Sequence, residues 1–143
     1  MGTIIRYRSG MDRRTGRLLQ GKAHLAQSLA FIWMTRRDSV IMALNLGSNL
    51  RSVLAEDIEP GIALLLYDEL ITSAHEVEPE YRIDNLQFVS LSRDGGLGIR
   101  HDGTYYPEGR FGNYAIAEPF GQTAPFIARE TITRATAISG AAP

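Results

Sequence analysis

Cysteine is absent from the chain, which removes disulfides, thiolate nucleophiles and cysteine metal ligands at once. Lysine is almost absent: Lys22 stands alone, and every other cation is an arginine. Guanidinium groups bond in planar pairs and are weakly hydrated, so this bias suits buried ion pairs and protein interfaces, although a GC-rich genome would leave the same mark. Apolar runs are short. None approaches the roughly 18 residues of a membrane span, and the arginine-rich start lacks the apolar core of a signal peptide. The expectation is a cytoplasmic site of action with no membrane partner. An excess of either charge is also missing. The formal net charge of -1 leaves no global attraction for nucleic acid, so no nucleic-acid partner is expected.

The signatures of catalysis are missing as well. His24, His75 and His101 lie far apart in sequence, with no His-x-x-x-His pair and no His-Glu-x-x-His, so no metal is expected. Gly95-Gly96-Leu97-Gly98 lacks both the Lys-Ser/Thr of a phosphate loop and a helix to follow it, and reads as a hairpin turn. There is no Gly-x-Ser-x-Gly elbow. Two acidic clusters remain, Glu56-Asp57-Glu59 and Glu76-Glu78-Glu80. The first is explained by the positive end of a following helix. A small cell-wall hydrolase would need one of these carboxylates in a cleft, with Glu56 or Glu80 as its candidate. The expectation is a protein that is not an enzyme and needs no cofactor.

What is present is enough apolar residue, 44% of 143, to bury one core, with 22% charged. Residues 1–21 read as an extended basic arm carrying Arg6, Arg8, Arg13 and Arg14. Such an arm fits an acidic groove of a partner protein. Leu25, Leu29, Ile32 and Trp33 fall at helical spacing and predict a first helix from Lys22 to Thr35, with Phe31 and Met34 off the stripe. Ser39 to Met42 reads as a strand or extended link. Gly47-Ser48 offers a turn and an N-cap before a short helix with Leu50, Val53 and Leu54 on its apolar face. Pro60 suits the first turn of a third helix reaching about Ala74, with Ile62, Leu65, Leu66 and Leu70 buried and Asp68, Glu69, Thr72 and Ser73 outward. His75 would close that helix as a partly charged group favouring its dipole.

From Arg82 to Ser92, Ile83, Leu86 and Phe88 alternate imperfectly with polar residues, as in a strand. Asp94-Gly95-Gly96 and Asp102-Gly103 give hairpin signals, and Asn113 to Ala117 a last short strand. The domain would span 22–119, and 120–143 would be a C-terminal tail. In that tail Ile127, Arg129, Thr131 and Thr133 lie in a threonine- and isoleucine-rich stretch able to add a strand to another sheet. The fold class expected is α+β: three helices packed on a small, mainly antiparallel sheet, with extended N- and C-terminal tails.

Four features in order are more specific: the first helix, then Thr35-Arg36-Arg37-Asp38-Ser39-Val40-Ile41-Met42, then Leu46-Gly47-Ser48-Asn49-Leu50-Arg51, then Glu80-Tyr81-Arg82-Ile83 opening a strand. Over about Gln20 to Leu91 this order resembles the W-type baseplate wedge family of contractile phage tails, related to tail lysozyme-like wedge proteins and the type VI secretion baseplate. The chain departs from that pattern at Asp38, where glycine is usual, and at Asn45-Leu46, which replaces an acid-aromatic pair. Its Glu-Pro-Arg motif is split. Glu78-Pro79 keeps two letters, whereas Glu80-Tyr81-Arg82 keeps the acid and the arginine without a gap.

The resemblance implies a structural subunit of the virion tail baseplate, assembled in the host cytoplasm, in six copies around the tube. Its implied partners are the wedge proteins, the tail sheath protein, and the tube or hub. Glu78, Pro79, Glu80, Tyr81 and Arg82 would dock on the wedge core, and an exposed edge or the C-terminal tail would start the sheath by strand exchange. Arg82 could instead close an internal salt bridge. A regulatory binding module of the same fold stays open beside the hydrolase.

Overall fold

Residues 4–54, 60–91 and 97–126 are described by the computed structural model. The arm does not extend away from the body. It folds into an antiparallel hairpin of β1 (Ser9–Met11) and β2 (Leu18–Gln20). Asp12 organises the turn, its carboxylate accepting from Arg14 N–H at 2.8 Å and its carbonyl from Gly16 N–H at 2.9 Å. The hairpin leads directly into α1 (Lys22–Met34). Gly21 makes the corner at φ 58°, its N–H donating to Arg8 O at 2.8 Å while its carbonyl accepts from Leu25.

The stripe of α1 is buried as its spacing requires: Leu25, Leu29, Ile32 and Trp33 all lie in the core. A loop and the five-residue α2 (Leu50–Leu54) separate it from α3 (Pro60–Val77). Leu66, Leu70 and Ala74 of α3 meet α1, and the Trp33 indole N–H donates to Leu70 O at 3.0 Å. Of the three helices expected, two are long and the middle one is this short segment.

After α3 come β3 (Tyr81–Leu91), β4 (Leu97–Tyr105), a 3-10 turn at Gly109–Phe111, and β5 (Glu118–Phe126). The three strands form one antiparallel sheet in the order β3-β4-β5. Tyr81, Ile83, Ile99 and Tyr105 turn to the helices and complete the core. The fold is therefore α+β, with two helices and two small antiparallel sheets. No described helix is long and apolar enough to cross a membrane.

Several expectations are corrected. Ser39–Met42 is a run of turns, closed by hydrogen bonds such as Asp38 N–H to Leu44 O at 2.9 Å. Ser48 does not cap α2. It is buried, and its hydroxyl donates to Trp33 O at 3.0 Å, tying the loop base to α1. Leu65 is exposed, whereas Ser73 is buried and returns its hydroxyl to Glu69 O at 2.7 Å. Asp102-Gly103 lies within β4 and makes no turn. A Cβ at Gly103 would stand 2.0 Å from Arg82 O, so glycine there allows β3 and β4 to approach. Asn113–Ala117 is loop, and the last strand runs through Phe126, past the boundary expected at residue 119. Asp94-Gly95-Gly96, Glu56 with its acidic neighbours, and Ile127, Arg129, Thr131 and Thr133 lie outside the described residues.

Candidate partner-docking surface

α3 ends at Val77 and β3 begins at Tyr81, so Glu78, Pro79 and Glu80 make the whole connection. The backbone of this link is tied at both ends: Glu78 N–H donates to Ala74 O at 2.8 Å, and Glu80 O accepts from Tyr106 N–H at 2.7 Å. Both acids are thereby turned into the body, while Pro79 stays exposed.

The cation that meets them comes from the arm. Arg8 Nη1 lies 2.5 Å and Nη2 3.1 Å from the two oxygens of Glu78, a bidentate pair, and Nη1 is 3.5 Å from Glu80. Arg8 Nε donates to His24 Nδ1 at 2.7 Å, and the Ser28 hydroxyl also donates to Glu78. That bond makes His24 an acceptor and hence neutral, and burial pushes its pKa below the usual histidine range. Glu80 is held differently. Arg110 Nε stands 3.5 Å from one oxygen and Arg8 3.5 Å from the other, and neither oxygen has a hydrogen-bond partner. Burial raises its pKa, against the pull of Arg8 and Arg110.

Arg82 behaves otherwise. Its neighbours Tyr81 and Ile83 point into the core, and strand alternation sends Arg82 to the outer face of the sheet, where it is exposed. Among the described residues it makes no ion pair, and Glu78 and Glu80 are held by Arg8 and Arg110. Tyr81 is buried, its hydroxyl 2.8 Å from His101 Nδ1. His101 is packed edge-on against Trp33 and Tyr81, and burial pushes its pKa down to about 4.

The basic residues of the arm separate in the same way. Arg6 donates both its backbone N–H and its Nε to Glu108, each at 3.2 Å, and its guanidinium lies over Phe111. Arg13 and Arg14 remain exposed, Arg13 with its guanidinium 5.2 Å from the Phe31 ring centre.

The edges of the three-stranded sheet are blunted. In an antiparallel ladder alternate residues turn their N–H and C=O groups to opposite sides. On β5 the outward positions are Pro119, Gly121, Thr123 and Pro125, so two of the four carry no N–H. On β3 the ladder slips between Ile83 and Asn85 and again between Phe88 and Ser90. The outward Ile83 N–H is already bonded to His75 Nε2 at 3.0 Å. His75 is thus a neutral acceptor, not a charged helix terminus; burial and the nearby Arg82 lower its pKa against Asp84.

Outward apolar side chains gather in the loop after α1. Ile41 and Met42 are 87% and 98% exposed, on a backbone where Asp38 and Met42 adopt positive φ. Arg8 stands out in the sequence only as part of a basic arm, and nothing in the sequence neighbourhoods of Glu108 and Arg110 announces their ion pairs.

No protein-family model matches the chain, and no curated protein sequence does. Solved structures share its fold. A chain of the pyocin R2 baseplate in its postcontracted state superposes with a TM-score of 0.55 at 22% identity, over 85% of this chain and 99% of that one. A putative tail lysozyme from Geobacter sulfurreducens gives 0.55 at 20% identity, over 74% and 89%. A chain of the anti-feeding prophage baseplate gives 0.51 at 16% identity, over 85% and 81%.

Proposed function

We propose that the chain is a non-enzymatic wedge subunit of a contractile-tail baseplate, which docks on the wedge core and starts the sheath around the tube. The observation that carries this reading is the division of labour at the α3–β3 connection. Glu78 and Glu80 are consumed by Arg8 and Arg110, and Arg82 stands on the outer face with no ion pair among the described residues. A guanidinium in that state is a ready bidentate donor for a partner carboxylate. The fold likeness to baseplate chains, including the six-fold symmetrised anti-feeding prophage baseplate, supports a ring of six copies.

Strand exchange would run through donation. Both described edges are poor acceptors, whereas the sequence after β5 carries Ile127, Arg129, Thr131 and Thr133. That segment would add its strand to the sheath protein. Of the two hydrolase candidates, Glu80 is 2% exposed and flanked by two arginines, which argues against it as a catalytic acid, and Glu56 lies outside the described residues.

The test is co-expression with the neighbouring tail genes, wild type beside Arg82→Ala, followed by size exclusion and affinity co-purification. Wild type should enter the wedge complex, and the variant should stay folded but be missing from it. A wild-type chain that remains a monomer with every neighbour, or peptidoglycan lysis that is lost in Glu80→Gln, would overturn the reading.

A further inference from the structure

Glu108 lies just under the surface and gathers three donors: Arg6 N–H and Arg6 Nε, each at 3.2 Å, and Asn113 Nδ2 at 2.7 Å. These bonds draw its pKa below the ordinary glutamate value, Asn113 contributing most, so it stays ionised. It thereby fixes the arm against the turn that carries Arg110 and Phe111. The Arg6 guanidinium carbon stands 3.9 Å and that of Arg110 4.8 Å from the centre of the Phe111 ring. Tyr114 packs edge-on against Tyr106 nearby in the chain, with ring centres 5.3 Å apart.

The charges here are layered. The acids lie beneath, Glu108 with 7% and Glu80 with 3% of its side chain exposed, whereas Arg6 and Arg110 expose 58% and 42%. Each arginine meets its acid through Nε, no hydrogen bond from the four terminal nitrogens is seen among the described residues, and both side chains are partly exposed beside the half-exposed Phe111. What a partner meets is therefore positive, although the residues sum to neutral.

From this layering we infer that Arg6, Arg110 and Phe111 form a preorganised docking site for an acidic protein segment, with carboxylates on the two guanidiniums and an apolar side chain on the ring. Arginine and aromatic side chains dominate interface energetics, and a clamp held in place by Glu108 loses little freedom on binding. The inference does not rest on the baseplate reading or on Arg82, although Arg110 borders the α3–β3 connection through its ion pair with Glu80.

The test is fluorescence anisotropy of the full chain with a labelled Glu-Asp-Phe-Glu-Glu-Leu-Asp peptide, its Gln/Asn counterpart, and oligothymidylate. The acidic peptide should bind saturably and weaken with salt, and the neutral peptide should not bind. Arg6→Gln should weaken binding about tenfold, the scale of one charge-assisted hydrogen bond. Phe111→Ala, which leaves both ion pairs in place, should weaken it while melting like wild type. The inference fails if the acidic peptide does not bind, if the neutral peptide binds equally, if Phe111→Ala binds unchanged, or if oligothymidylate binds more tightly, which would make this a phosphate site.

Discussion

Arg8 is the residue on which the described charge network depends. It holds the buried Glu78 by two bonds, touches Glu80 and reaches His24. Removing one partner of a buried pair leaves the other charge stranded, so Arg8→Ala should cost on the order of 3 kcal/mol in urea unfolding. Arg8→Ala/Glu78→Gln should recover part of that loss, and additive single effects would show that the two residues are not coupled. Glu80 predicts the contrary sign. With no hydrogen bond to lose and a desolvated charge to shed, Glu80→Gln should be neutral or stabilising at pH 7, measured by the same denaturation. His101 sets a pH dependence. Its pKa of about 4 in the fold lies below the ordinary 6.5, so the unfolded chain takes up its proton first. Stability from this group is complete above pH 6.5 and is lost as pH falls toward 4. Thermal melts across that window should therefore drop, and His101→Gln should flatten the slope. These roles were not legible in the sequence, because Arg8 is 70 residues from Glu78 and single charges give no pattern for so distant a pair.

Elements fare better than residues, for a physical reason. The α1 stripe was readable because four core contacts repeat at helical spacing, and all four are buried. The imperfect alternation of β3 was readable as a strand, and its imperfection has a cause: the register shift near Asp84 turns Leu86 inward three residues after Ile83. Asp102-Gly103 misled because a glycine serving a close approach looks the same as a turn glycine. Leu65 misled because helical spacing does not say which flank of a stripe meets the core. At this scale the prolines of β5 make a prediction. Pro119→Thr/Pro125→Thr would restore N–H groups along a free edge and should increase self-association in light scattering, with the monomer fold retained. Unchanged association would mean that the edge is protected by something else.

For the whole molecule, the ends of the sheet matter. Tyr81, Tyr105 and Glu118 lie in register at one end, beside the Glu78–Arg82 connection. Leu91, Leu97 and Phe126 lie at the other, where β5 ends. At about 3.4 Å per residue, the nine residues of β4 set these ends roughly 27 Å apart. Two partners could thus be engaged at once without competing. Truncation after Phe126 should abolish co-purification with the sheath protein and spare the wedge complex, whereas Arg82→Ala should do the reverse. Loss of both complexes in either variant would contradict separate sites.

The direction in which β5 leaves has a mechanical consequence. If a partner held near Arg82 and another pulling on the chain beyond Phe126 are drawn apart, the force runs along the strands. The bonds between β4 and β5 lie across that line, so the nine register pairs resist sliding together and are not peeled open one after another. A sheet loaded in shear is a tension member, able to carry a sudden axial jolt that the same bonds, unzipped from one end, would not withstand.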